Sequence, residues 1–150
     1  MMFITSPDFE PHGRIPDRYT CEDQNVNPTL FISEVPPNTQ SLAVIIDDVD
    51  SITPEGPFTH WVIWNIKPSY TTIGDNSVPE GAAQGLNSAG KIGYMGPCPP
   101  PTQPHHYRIM SFALTDKLNL PEGSSKIDVE IAMEGKILAQ AELIGEYSRI

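Results

Sequence analysis

Two stretches are apolar on both alternating faces: Ser41 to Asp47 (S-L-A-V-I-I-D) and Thr59 to Ile66 (T-H-W-V-I-W-N-I). A strand with no polar alternate face belongs in the middle of a sheet, so both predict central strands. Tyr107 to Leu114, unbroken by glycine or proline, predicts a third buried strand. Phe3 to Thr5 predicts a short opening strand, ended by Pro7, and Leu30 to Ile32 another, stopped by Pro36 and Pro37. Between these two, Ile15 to Cys21 runs into a polar loop, Glu22 to Asn27. Asp48 to Pro57 reads as an acidic turn, and Pro68 to Ala89 as an extended loop with room for one brief strand. Near the end, Ser125 with Asp128 forms a capping-box pattern. Ile127, Ile131 and Ala132 then share one face of a short helix that Gly135 stops. Lys136 to Tyr147 closes the chain as a strand.

Roughly seven or more strands with one or two short helices make this an all-β chain. Hairpin-length spacing at the start and long crossings in the middle favour an antiparallel Greek-key β-sandwich over an up-and-down barrel. Composition does not shift along the sequence and no repeat occurs, so residues 1–150 read as a single domain. The chain has 16 prolines in 150 residues, about twice the usual ~5%, which also disfavours a helical bundle.

The formal charge of −10 disfavours a nucleic-acid partner and adsorption to anionic lipid. No apolar run approaches the roughly 20 residues of a transmembrane helix, and Met1 to Asp8 does not read as a leader. The expectation is a soluble, cytoplasmic protein. Cys21 and Cys98 form neither a CxxC nor a zinc pattern. Reduced thiols are the expectation for a cytosolic chain, with a bridge left open if the two loops meet.

Chemistry gathers where the stiff loop Gly90 to Pro104 meets the strand beginning near Tyr107. Pro97, Pro99, Pro100, Pro101 and Pro104 exclude regular structure there, while Gly90, Gly93 and Gly96 permit positive φ or close approach. His105 and Tyr107, two apart, point to one face of that strand. Asp47, Asp48 and Asp50 follow another strand, and His60 opens a third beside Trp61 and Trp64. A hollow built from these would hold carboxylate, two imidazoles and a phenol against tryptophan and proline walls. Singly, each has a plainer reading. The acids could shape a turn, His60 could be a core histidine satisfied by a backbone carbonyl, and Tyr107 could simply pack.

S-L-A-V-I-I-D-D-V-D, P-F-T-H-W-V-I-W-N-I and G-Y-M-G-P-C-P-P-P…H-H-Y, in this order, resemble the phosphatidylethanolamine-binding protein family. The likeness is strongest to its prokaryotic Raf kinase inhibitor-like branch. It extends through Y-T-C, G-L-N-S-A-G and A-M-E-G-K-I-L-A-Q-A-E-L-I-G-E-Y. The resemblance implies an antiparallel β-sandwich with an anion pocket formed by Asp48, His60, Gly96, Pro97, His105 and Tyr107. Asp50, Trp61, Tyr94 and His106 would stand behind it. It also implies a phosphate-like anion or phospholipid headgroup as ligand, no cofactor, and a possible homodimer. A kinase, a protease or a phosphopeptide is the protein partner it raises. The chain departs from the family pattern at Val49 and Ile52, where prolines are usual, and at His106, where the family has arginine.

For the pocket itself, histidine N–H, tyrosine hydroxyl and Gly96-turn N–H groups are donors suited to a tetrahedral anion. Asp48 fits either by holding a neighbouring histidine protonated or by accepting from a protonated phosphate or an ammonium group. The alternative from another class is a metal-dependent enzyme using Asp48, His60 and His105 as ligands. Neither an H-E-x-x-H spacing nor a G-x-S-x-G elbow supports it, and the expectation is a binding protein rather than an enzyme.

Overall fold

The computed structural model describes all 150 residues. In chain order its elements are β1 (Phe3–Thr5), β2 (Leu30–Ser33), β3 (Ser41–Thr53), β4 (Gly56–Ile66), β5 (Thr72–Ile73), β6 (Ala83–Gln84), β7 (His105–Leu114), α1 (Lys126–Met133) and β8 (Ile137–Tyr147). A short 3-10 turn covers Asp17–Tyr19. One sheet has the order β1-β2-β5 and the other β6-β4-β3-β7-β8, with every pairing antiparallel. The two doubly apolar runs are the central hairpin β3–β4, as their pattern predicts. After β4 the chain crosses to the far side of β3 before forming β7, which makes the topology a Greek key rather than a meander.

Alternation along the central strands divides the interior into two cores. Leu42, Val44 and Ile46 on β3, with Trp61 and Ile63 on β4, face the three-stranded sheet. Ala43, Ile45, Val62 and Trp64 face the opposite way and are covered by Val129 and Met133 of α1. Both tryptophans are fully buried, one in each core. The helix begins at the predicted capping box, with Ser125 and Asp128 bonding each other's backbone. Gly135, at φ +75°, lies just beyond its end.

Three sequence expectations need correction. The acidic segment after Asp47 is not a turn: β3 continues to Thr53 and reverses only at Thr53–Gly56, where the Thr53 hydroxyl donates to the Gly56 carbonyl. The acids stay in the strand because Asp47, Asp48 and Asp50 each find a cationic or imidazole partner there instead of water. The loop from Pro68 to Ala89 contains two brief strands, β5 and β6, one added to an edge of each sheet. Finally, Cys21 and Cys98 are joined in a disulfide, their Cα atoms 5.4 Å apart. The reduced state followed from an assumed compartment, whereas the fold brings the 3-10 turn and the proline loop together.

Candidate functional site

A hollow of about 150 Å³ opens where the middles of β3 and β4 and the start of β7 meet the proline loop. Asp48, His60, His105 and Tyr107 line it, with Ser51, Phe58, Met95, Cys98, Pro99 and Pro100. Three distant segments therefore converge, although Asp48 and His60 lie inside β3 and β4 rather than at strand ends. Their convergence is set by register. Asp48 lies opposite Phe58 on one side and Tyr107 on the other, so it shares a face with both.

A one-residue bulge admits His60. Ile46 pairs with Trp61 and Asp47 with Thr59, leaving His60 as the extra residue in β4. Strict alternation would send His60 to the face opposite Trp61. The bulge instead puts both on the side of the three-stranded sheet, Trp61 in its core and His60 in the hollow. The His60 Nδ1–H then donates to the Met95 carbonyl at 2.6 Å, fixing the tautomer and leaving Nε2 without a protein partner. Both readings weighed for His60 thus hold at once: it is satisfied by a backbone carbonyl and it lines the site. Burial pushes its pKa below the usual imidazole value, and the Met95 bond and Asp48 charge offset this only in part.

Across the hollow, His105 Nδ1 lies 2.6 Å from Asp48 Oδ2, and both side chains are mostly buried. Asp48 Oδ1 accepts from the Asp50 N–H at 2.9 Å. The Tyr107 hydroxyl is buried without a well-formed hydrogen bond in the protein. Burial first, and then the nearby Asp48 charge, raise its pKa and keep it a donor. The rings of His60 and Tyr107 meet edge to face at 5.3 Å.

The other sequence-predicted residues support this group from outside the hollow. Gly96 donates its N–H to Asn25 Oδ1 at 2.8 Å and so is not among the hollow's free donors. Its missing Cβ matters instead, since a Cβ there would lie 2.1 Å from the Tyr19 carbonyl oxygen. Pro97 is buried and accepts from the Cys21 N–H. Tyr94 donates to the Tyr19 carbonyl at 2.7 Å and packs edge-on against Trp61, whose indole N–H donates to Gln84. His106 points away from the hollow, where its ring and backbone N–H both bond Asp50. That contact holds the Asp50 carboxyl below its ordinary pKa. Arg108, the cation nearest in sequence, is on the opposite face and makes a two-pronged bond to Asp47.

Sequence reasoning left Cys98 out of the site, along with Ser51, Phe58, Met95, Pro99 and Pro100. Cys98 lines the hollow and pins the proline loop to the 3-10 turn. Its position in the Pro97–Pro101 run was the available signal.

Comparison with known proteins agrees with this architecture. The family profile described as phosphatidylethanolamine-binding protein matches residues 5–148. A UPF0098 protein of Methanothermobacter thermautotrophicus is 46% identical over 146 residues, covering 94% of this chain and 95% of its own. The crystal structure of a phosphatidylethanolamine-binding protein homologue from Chlamydia trachomatis superposes with a TM-score of 0.92 at 37% identity, covering 99% of this chain and 98% of its own. Escherichia coli YbcL, described as a member of the mammalian family, gives 0.91 at 29% identity, with 99% of each chain covered. No helix of the chain is long and apolar enough to cross a membrane. With its two antiparallel sheets and a profile match over nearly its whole length, the chain belongs to the phosphatidylethanolamine-binding protein family.

Proposed function

We propose that the chain binds a small phosphate-type anion, such as a phospholipid headgroup or a phosphorylated side chain, between His60, His105 and Tyr107. One observation carries the reading: a buried tyrosine hydroxyl without a hydrogen-bond partner faces a hollow whose lining includes two imidazoles and neither lysine nor arginine. Positive charge in that lining can come only from His60 and His105. Asp48 contributes by accepting from His105 Nδ1–H, which orients the ring and leaves Nε2 as the atom available to a ligand. His60, neutral with Nδ1 engaged, offers Nε2 as an acceptor for the proton of a singly protonated phosphate, or takes that proton itself.

The metal-enzyme alternative requires Asp48, His60 and His105 to converge on one ion. Instead both Asp48 oxygens are engaged within the protein, Oδ2 by His105 Nδ1 and Oδ1 by the Asp50 N–H. No group of three or more histidine, cysteine or acidic side chains is arranged to hold a metal. Titrating inorganic phosphate into the protein by calorimetry, from about pH 5.5 to about pH 8, tests the binding reading. Affinity should fall across that range as phosphate loses the proton that neutral His60 Nε2 would accept, and a flat profile would remove the basis of the reading.

A further inference from the structure

The sheet face that carries α1 holds a second polar hollow, of about 60 Å³, lined among others by Thr53, Glu55, Thr59, Ser88, Ser125 and Lys126. It is separate from the His60–His105 site, because Asp47 and Thr59 project to the face opposite Asp48 and His60. Thr59 is only 6% exposed, and its hydroxyl has no partner in the protein, although its N–H donates to Ser88 Oγ at 2.8 Å. Beneath the hollow, Asp47 is fully buried and bonded by both Arg108 and Lys126, two cations on one carboxylate. Lys126 gives Asp47 one of its three N–H groups. Lys126 and Ile127 also open α1, where backbone N–H groups have no acceptor within the helix. Glu55, exposed, is the single carboxylate in the lining.

We propose that this hollow is a second oxyanion site, taking a phosphate, sulfate or carboxylate group between the Thr59 hydroxyl, the Lys126 ammonium and the first amides of α1. The Lys126 N–H groups left after its bond to Asp47 supply charged donors, the helix start supplies aligned ones, and the Thr59 hydroxyl, which bonds nothing in the protein, supplies another.

Amide NMR of the full chain, titrated separately with inorganic phosphate, sulfate and acetate, tests this. Saturable shifts of the Thr59, Lys126 and Ile127 amides are expected, independent of those around His105, and the three anions distinguish the class preferred. Thr59→Val, nearly isosteric, should weaken the affinity read from those amides roughly tenfold, and Lys126→Gln by at least as much. A loss in either variant, with the rest of the spectrum unchanged, supports the site. Absence of saturable shifts with all three anions, or unchanged affinity in both variants, overturns it.

Discussion

His60 and Met95 hold each other twice: the Met95 N–H donates to the His60 carbonyl at 3.0 Å, and the His60 Nδ1–H donates back to the Met95 carbonyl at 2.6 Å. This clamp fastens the loop before the proline run to β4 and orients the imidazole from behind. It also ties stability to pH. An unfolded histidine titrates near 6.5, and burial places the folded value below that. Between the two values the unfolded chain binds a proton that the folded chain refuses. The His60 contribution is therefore fully present above about 6.5 and is lost as pH falls toward the folded value. Urea midpoints of the native chain and His60→Phe, compared across that window, should show the acid loss shrinking in the variant. Parallel loss in both would show that His60 is not responsible.

The Cys21–Cys98 bridge spans a sequence separation of 77 residues. Closing so long a loop restricts the unfolded chain, by about 4 kcal/mol in the chain-entropy view. Replacing both cysteines with serine should lower unfolding free energy by roughly 2–4 kcal/mol, and reducing the native chain should do the same. Since Cys98 lines the hollow, phosphate affinity should fall alongside stability. Equal urea midpoints for oxidised and reduced protein would show that the bridge contributes nothing.

Gly96→Ala should destabilise at the upper end of the roughly 1–3 kcal/mol typical of overpacking. The added Cβ would meet the Tyr19 carbonyl oxygen at 2.1 Å and Thr20 Cα at 2.9 Å, both backbone atoms with little freedom to retreat. Thermal denaturation would register this as a fall in Tm. An unchanged Tm would mean the loop shifts freely.

Arg108→Met should cost about 3 kcal/mol, because fully buried Asp47 loses both prongs of its strongest contact. Lys126 alone then faces the carboxylate. The double variant Asp47→Asn with Arg108→Met should recover part of the loss, which a double-mutant cycle in urea would measure. Additive effects would mean that the pair is not coupled.

The central strands were legible because doubly apolar runs such as Leu42 to Ile46 have one plausible place in a sheet. The grouping of Asp48, His60, His105 and Tyr107 was legible from the family resemblance and from the loops beside them, but Asp48 and His60 lie inside β3 and β4 rather than at the strand ends expected. Two features were hidden. Acids after a strand ordinarily signal a turn, and Asp48 and Asp50 keep β3 extended only because His105 and His106 meet them from β7, over fifty residues away. The bulge that turns His60 into the hollow depends on pairing register, which local pattern does not encode. The family resemblance places Gly96 in the pocket, with its turn's N–H groups as anion donors. The Gly96 N–H is instead taken by Asn25, a long-range contact that composition cannot reveal.

Asp48→Asn separates two opposite roles for the carboxylate nearest the hollow. If Asp48 serves by accepting from His105 Nδ1–H and orienting its ring, the amide disturbs that bond and phosphate binds less tightly, roughly tenfold at neutral pH. If Asp48 acts on the anion chiefly by repulsion, its removal makes binding tighter. The calorimetric Kd for inorganic phosphate in the two proteins at one pH near 7 is the decisive quantity. A weaker Kd in Asp48→Asn is expected, and an equal or tighter one would refute the role assigned to the Asp48–His105 pair.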